Sequence, residues 1–176
     1  KKDSLYFITK SGLENSLQYS TATLEEQKFK TVLLNLVCKV GERYIIKNKV
    51  FNDIPYYFWP RVKFLKSEKP EAACMRLFDE ITGLVNHNYR FVATHLRRQF
   101  TSKGDLLFDN IFLVFECEVP ESDITLPKLP DNCLLLSQDE VMEKPYRWPE
   151  IDVVFNEQSE NHFNEYEFVC DYGLEN

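Results

Sequence analysis

A chain of 176 residues with 44% apolar and 28% charged side chains suffices for one domain, or one domain with an extra arm, and for a core that needs no staple. Its formal charge of −7 excludes binding to nucleic acid through a general positive field and leaves room only for a local basic pocket. No apolar run reaches the roughly eighteen residues of a membrane span and no charged-then-apolar leader opens the chain, so a cytoplasmic protein with no membrane partner is expected.

The chain starts on Lys1 and Lys2 without a Met, as a trimmed chain or one domain of a longer polypeptide would. Ser4 to Thr9 reads as a short strand, and the polar run from Lys10 to Lys28 as an arm with one helical turn near Thr23 to Gln27. Phe29 to Val40 and Arg43 to Phe51 flank Gly41 and Glu42, the pattern of a tight hairpin whose two strands should be central in the sheet. Asp53 to Leu65, broken by Pro55 and Pro60, is extended and irregular.

The period then changes. Cys74, Leu77, Phe78, Ile81 and Leu84 recur at helical spacing, with Pro70 where a first turn tolerates it and Gly83 where a helix stops. Two strands follow, Tyr89 to Phe100 and Asn110 to Val119, separated by a turn at Thr101 to Asp105. A Pro-rich connection leads to an apolar run at Cys133 and to a short helix whose start is marked by Ser137 and Glu140 as a capping box. Beyond Trp148 the chain is acidic and aromatic by turns, and Asn164 to Tyr172 is expected to add a last strand paired with the N-terminal arm.

Cys38, Cys74, Cys117, Cys133 and Cys170 are odd in number and form no Cys-x-x-Cys pair, so they are read as reduced core residues. His87, His95 and His162 are scattered, and no Ser or Cys has a base at motif spacing. With five glycines, neither a dinucleotide fingerprint nor a P-loop can be built. Hairpins around one helix, with a second helix later, predict an α/β domain whose sheet is mixed and hairpin-rich.

The stretch from Phe58 to Val85 resembles the Nudix box of the Nudix hydrolase family. Glu68, Arg76 after seven intervening residues, Phe78, Glu80, Gly83 and Leu84 fall in register with it, and Trp59 and Pro60 match the pair that often precedes it. The resemblance covers roughly Phe29 to Lys144 and implies a Nudix-like α/β/α sandwich. The expected division is an arm over residues 1–28, a Nudix-like domain over 29–147 and an acidic extension over 148–176 packed on that domain.

The pattern is degenerate. Val62 and Ser67 stand where the family has glycines, and Leu77 and Ile81 replace two of three helix acids. Family enzymes cleave a diphosphate linked to a nucleoside or similar group, with box carboxylates holding the divalent cations. Positions 77, 80 and 81 lie three and four apart, so acids there can share one hard cation, whereas Leu77 and Ile81 form an apolar pair suited to packing.

What the resemblance implies for metal is therefore thin: Glu80, Glu68 and Glu116, loaded with magnesium or manganese if the domain is active and with no cofactor otherwise. Glu80 also reads as an exposed glutamate paired weakly with Arg76, and Glu68 as a negative charge at the helix start. Arg61, Lys63, Arg97 and Trp59 are the candidates for ligand binding, since Arg binds phosphate bidentately and an aromatic ring stacks on a base. Arg76 and Gly83 are structural members of the box, and no catalytic residue is named.

Three functions remain open. The preferred one is a binding domain with little or no ordinary pyrophosphohydrolase activity, taking a nucleotide, a phosphorylated small molecule or a protein partner. The second is an active magnesium-dependent hydrolase with a divergent metal site. The third is an interaction module, for which an edge strand offers a homodimer contact.

Overall fold

The computed structural model describes residues 30–51, 53–85, 88–119, 129–156 and 163–169. Contacts divide the chain into Lys1–Lys30 and Thr31–Asn176, and the second unit is the one described below. The expected strand at Ser4 to Thr9 and the turn at Thr23 to Gln27 lie outside the described residues, as do His87, His162 and Cys170.

In chain order the elements are β1 (Thr31–Val40), β2 (Arg43–Phe51), β3 (Ile54–Phe58), β4 (Arg61–Lys63), α1 (Pro70–Thr82), β5 (Arg90–Phe100), β6 (Leu106–Val119), β7 (Cys133–Ser137), α2 (Gln138–Met142), α3 (Pro149–Asn156) and β8 (Phe163–Val169). All eight strands belong to one mixed sheet of order β3-β2-β1-β6-β5-β8, with β4 paired to β1 and β7 to β2. β1 runs parallel to β6 over its whole length, from Thr31 opposite Asn110 to Val40 opposite Val119. A strand covered on both faces reads as an almost unbroken apolar run, and β1, with Leu34, Leu36, Val37, Cys38 and Val40 all buried, is such a strand.

Strand alternation sends these side chains to two cores. One face of the sheet, with Leu34, Leu36, Cys38, Phe115 and Cys117, receives Cys74, Leu77, Phe78 and Ile81 of α1. The other, with Val37, Ile46, Phe112 and Val114, receives Ile151 of α3 and Val141 of α2. The result is the helix–sheet–helix layering expected from the sequence, with α1 and α3 on opposite faces.

The ends of α1 follow the sequence signals. Pro70 opens it, and Gly83, at φ 66°, closes it by donating its N–H to the Asp79 carbonyl at 2.8 Å. The capping box of α2 is present in both directions: Ser137 Oγ accepts from Glu140 N at 3.2 Å, and Glu140 Oε2 accepts from Ser137 N at 2.7 Å.

One feature of the tail differs from the sequence reading, and the expected last strand is present. Pro149–Asn156 is a helix, organised by Ile151, Val154 and Phe155 at three and four residue spacing. The last strand, β8, runs parallel to β5, from Thr94 opposite Phe163 to Phe100 opposite Val169, whereas the N-terminal arm expected as its partner is outside the described residues. Arg98 of β5 ties the pair by ion pairs to Glu165 and to Glu167, the latter at 3.1 Å.

Candidate functional site

β2 leaves β1 almost at once. The two strands pair only at Lys39 with Tyr44 and Val40 with Arg43, after which β4 takes the place beside β1, with Asn35 opposite Arg61 and Leu33 opposite Lys63. β2 carries β3 on one side and β7 on the other, and the divergence opens a cavity of about 570 Å³. Its lining includes Lys47 and Lys49 of β2, Phe58 at the end of β3, Arg61 at the start of β4, and Asp131 and Asn132 before β7.

Lys47 and Lys49 lie two apart on one strand and so share a face. The Lys47 side chain is only 15% exposed, and its ammonium lies 3.5 Å from Glu80 Oε1 on α1. Arg61 is held from behind: its guanidinium stacks on Trp148 at 4.2 Å and on Phe58 at 4.6 Å, and Nη1 lies 3.9 Å from Glu150 Oε1. The cleft therefore gathers three cations, each held by a partner in the protein, Lys49 by the Phe51 ring at 4.4 Å.

The loop before α1 keeps its shape by a different route. Glu68 accepts from Arg76 Nε at 2.9 Å and Nη2 at 2.8 Å, and from the Leu65 N–H at 2.8 Å, while Arg76 Nη2 also donates to the Lys63 carbonyl at 3.1 Å. The Arg76 guanidinium and the Leu65 N–H together pull the Glu68 carboxyl down to about 2. Ser67 sits at φ 61°, a left-handed backbone that favours glycine, so this serine adopts the conformation the box glycine would supply.

The acids named for a metal do not converge. Leu77 and Ile81 are 0% and 1% exposed, packed into the α1 core. Glu80 faces Lys47, and Glu68 is engaged by Arg76. Glu116 shares the sheet face of Phe112 and Val114, opposite to the face that α1 covers, where it pairs with Arg90 at 2.5 Å. Among the described residues no group of three or more His, Cys, Asp and Glu side chains is arranged to hold a metal ion. The residues present do not fit the divalent-cation centre that the box resemblance implies.

The four residues named for ligand binding are also distributed. Arg61 reaches the cavity. Lys63 is exposed on β4 and contributes its carbonyl to Arg76. Trp59 is fully buried: its indole N–H donates to the Glu150 carbonyl at 3.1 Å, and its ring meets Phe155 edge-on at 5.3 Å. Arg97 is 2% exposed, bonded to Glu150 Oε1 at 3.2 Å and stacked on Trp148 at 4.4 Å and Phe112 at 4.7 Å.

Arg97, Arg61 and Glu150 thus make one buried charge cluster, joined by Tyr166, whose hydroxyl reaches Glu150 Oε2 at 3.4 Å. Glu150 is the residue that the sequence reading missed, because its helix was missed; Pro149 at a first-turn position ahead of Ile151, Val154 and Phe155 was the available signal. Lys47 and Lys49 are not among the residues that the sequence singles out. Their signal was a basic pair at alternate positions directly after the apolar Ile45 and Ile46.

Beside the cluster, His95 is fully buried, and neither ring nitrogen has a hydrogen-bond partner among the described residues. Burial lowers its pKa to about 4. Cys38, Cys74, Cys117 and Cys133 are free and buried, as read from the sequence.

Solved structures share this fold. A mutator MutT protein from Bacillus halodurans is similar at a TM-score of 0.63 and 16% identity, with 81% of this chain and 92% of that one covered. The Nudix domain of Shewanella oneidensis NrtR, crystallised with ADP ribose, is similar at 0.54 and 11% identity, covering 84% and 95%. The MutT protein of Methanosarcina mazei Go1 is similar at 0.56 and 12% identity, covering 78% and 100%. The chain has the Nudix fold. No protein-family model matches the sequence, and no curated protein matches it.

Proposed function

We propose that this Nudix-fold domain binds a phosphorylated small molecule, a nucleoside diphosphate or its derivative, in the cleft between β2, β4 and the loop before β7, and has little or no ordinary pyrophosphohydrolase activity. The observation that carries the reading is the pairing of two facts about one site. Lys47, Lys49 and Arg61 line a cavity large enough for such a ligand, while the helix positions that would need acid are occupied by the buried Leu77 and Ile81. Cations that bind phosphate are supplied, and the acid cluster that would activate water on a metal is not. ADP ribose, the ligand of the NrtR domain, is a natural first probe. The reading requires neither magnesium nor manganese, and the reduced state of the four buried cysteines supports a cytoplasmic setting.

The test pairs thermal stability with product analysis. ADP ribose and nucleoside diphosphates should raise the melting temperature, ligand at a hundred times Kd contributing about 2.7 kcal/mol, and should be recovered intact after incubation with magnesium or manganese. Metal-dependent cleavage that disappears in Glu80→Gln would show a hydrolase.

A further inference from the structure

The misfit between this site and a divalent ion has a counterpart on β2. Lys47 holds an ammonium against Glu80, the one box acid retained on α1, at 3.5 Å. The lysine is not on a loop. It sits within β2, opposite Phe58 of β3 on one side and Cys133 of β7 on the other, so its backbone is fixed by two neighbouring strands. Its stem is mostly covered, at 15% exposure, while Glu80 is 58% exposed and so free to turn outward. Arg61 adds a second fixed charge and Lys49 a third, against Asp131 and Glu80.

We propose that Lys47 is the resident cation of the cleft: the site takes a diphosphate group free of metal, the phosphate displacing Glu80 from Lys47, and discriminates against the magnesium complex. The proposal rests on the binding function above and specifies which form of the ligand is bound. A strongly hydrated divalent ion on the diphosphate cancels two of its negative charges and occupies oxygens that Lys47, Lys49 and Arg61 would otherwise contact. In this cleft magnesium is a competitor of the protein's own cations, whereas in a metal-dependent site it is an ally. The role of Glu80 inverts in the same way. As a metal ligand it would support binding, but as the occupant of Lys47 it opposes binding, because the incoming phosphate must replace it.

The experiment is calorimetric titration of ADP, and in parallel of pyrophosphate, into the full chain, in chelator and in excess magnesium chloride at matched ionic strength, so that general screening is held constant. ADP should bind in chelator and bind several-fold more weakly with magnesium. Lys47→Met should lose roughly tenfold or more, the loss of one charge-assisted contact, and Lys47→Arg should restore most of it. Glu80→Gln, a change at an exposed side chain that leaves the α1 core intact, should tighten binding.

Binding only in magnesium, a Lys47→Met variant that binds like the parent, or weaker binding by Glu80→Gln would each overturn the inference while leaving the binding function standing. Absence of ADP and pyrophosphate binding under both conditions would overturn the binding function and this inference together.

Discussion

An acid placed at position 77 tests whether this face of α1 is built for packing. Leu77 is fully buried in the cluster that holds Leu34, Leu36, Cys38 and Ile45, with Ile81 one turn on. Leu77→Glu removes an apolar contribution of about 2 to 3 kcal/mol. It also places a carboxyl where the charged form is strongly disfavoured, so the group remains neutral with a pKa near 8, against roughly 4.3 in the unfolded chain. The folded state then holds the extra proton, and stability falls as pH rises between those values by about 1.4 kcal/mol per unit. At pH 7.5 the protonation cost is about 4 kcal/mol and the total about 6 to 7, comparable with the whole stability of many domains. At pH 5 only about 1 kcal/mol of the protonation cost is left. Urea unfolding of variant and parent at both pH values should therefore show a difference that shrinks by about 3 kcal/mol on acidification. A variant as stable as the parent at pH 7.5, and further stabilised by magnesium, would refute the reasoning, because it would mean that position 77 still opens onto a metal site.

The other predictions concern the supports of the fold. His95 is buried neutral with its pKa lowered to about 4, so the unfolded chain binds a proton that the folded chain does not; the parent should lose up to about 3 kcal/mol as pH falls from 6.5 to 4, and His95→Leu should flatten that part of the profile in urea unfolding. Glu150→Ala leaves Arg97 buried beside Arg61 without its carboxylate and should cost about 3 to 5 kcal/mol by denaturant midpoint, a cost under 1 kcal/mol showing that water replaces the carboxylate readily. Gly83→Ala should cost about 1 kcal/mol and no more, since φ is 66° but an added Cβ meets nothing within 4 Å. Glu68→Gln should speed proteolysis between Phe64 and Lys69, because the Arg76 and Leu65 contacts that close the loop require the carboxylate; in the parent those contacts should weaken as pH falls from about 4.5 toward 2.

What the sequence disclosed divides along the same physical line. The helix Pro70–Thr82 was legible because its signals are local: apolar spacing, a first-turn proline, a terminal glycine. The capping box at Ser137 was legible for the same reason. The helix Pro149–Asn156 was obscured because its apolar residues are interleaved with Glu150 and Asp152, and its burial depends on a sheet face contributed by distant strands. The site was less legible than the fold. An Arg on a strand reads alike whether it lines a cavity, as Arg61 does, or is almost wholly buried, as Arg97 is. Only the divergence of β2 from β1 separates the two, and that divergence follows from how β4 and β7 compete for strand edges, a long-range property with no local signature. Glu116 failed for a simpler reason: alternation along β6 puts it on the face away from α1, and which face α1 covers is decided by Leu34, Leu36 and Cys38 on another strand.

Apart from Glu80, the box positions with polar or glycine-like roles serve shape. Glu68 and Arg76 close the loop, Ser67 keeps a glycine-like backbone there, and Gly83 ends the helix, whereas the cations of the cleft come from β2 and β4. Arg61 then occupies a junction, since one guanidinium lines the cavity and is also held by Trp148 and Glu150 of the α3 region. On the proposed function, ligand affinity and the anchoring of α3 depend on a common group. A change at Glu150 should weaken both, because Arg61 loses the carboxylate that orients it, while a change in the α1 core should lower stability and leave the affinity of the folded fraction intact. The two faces of the sheet thus carry different burdens: the α1 face buries Leu77 and Ile81 in an apolar core, and the α3 face carries the Arg97–Glu150 pair that also holds Arg61.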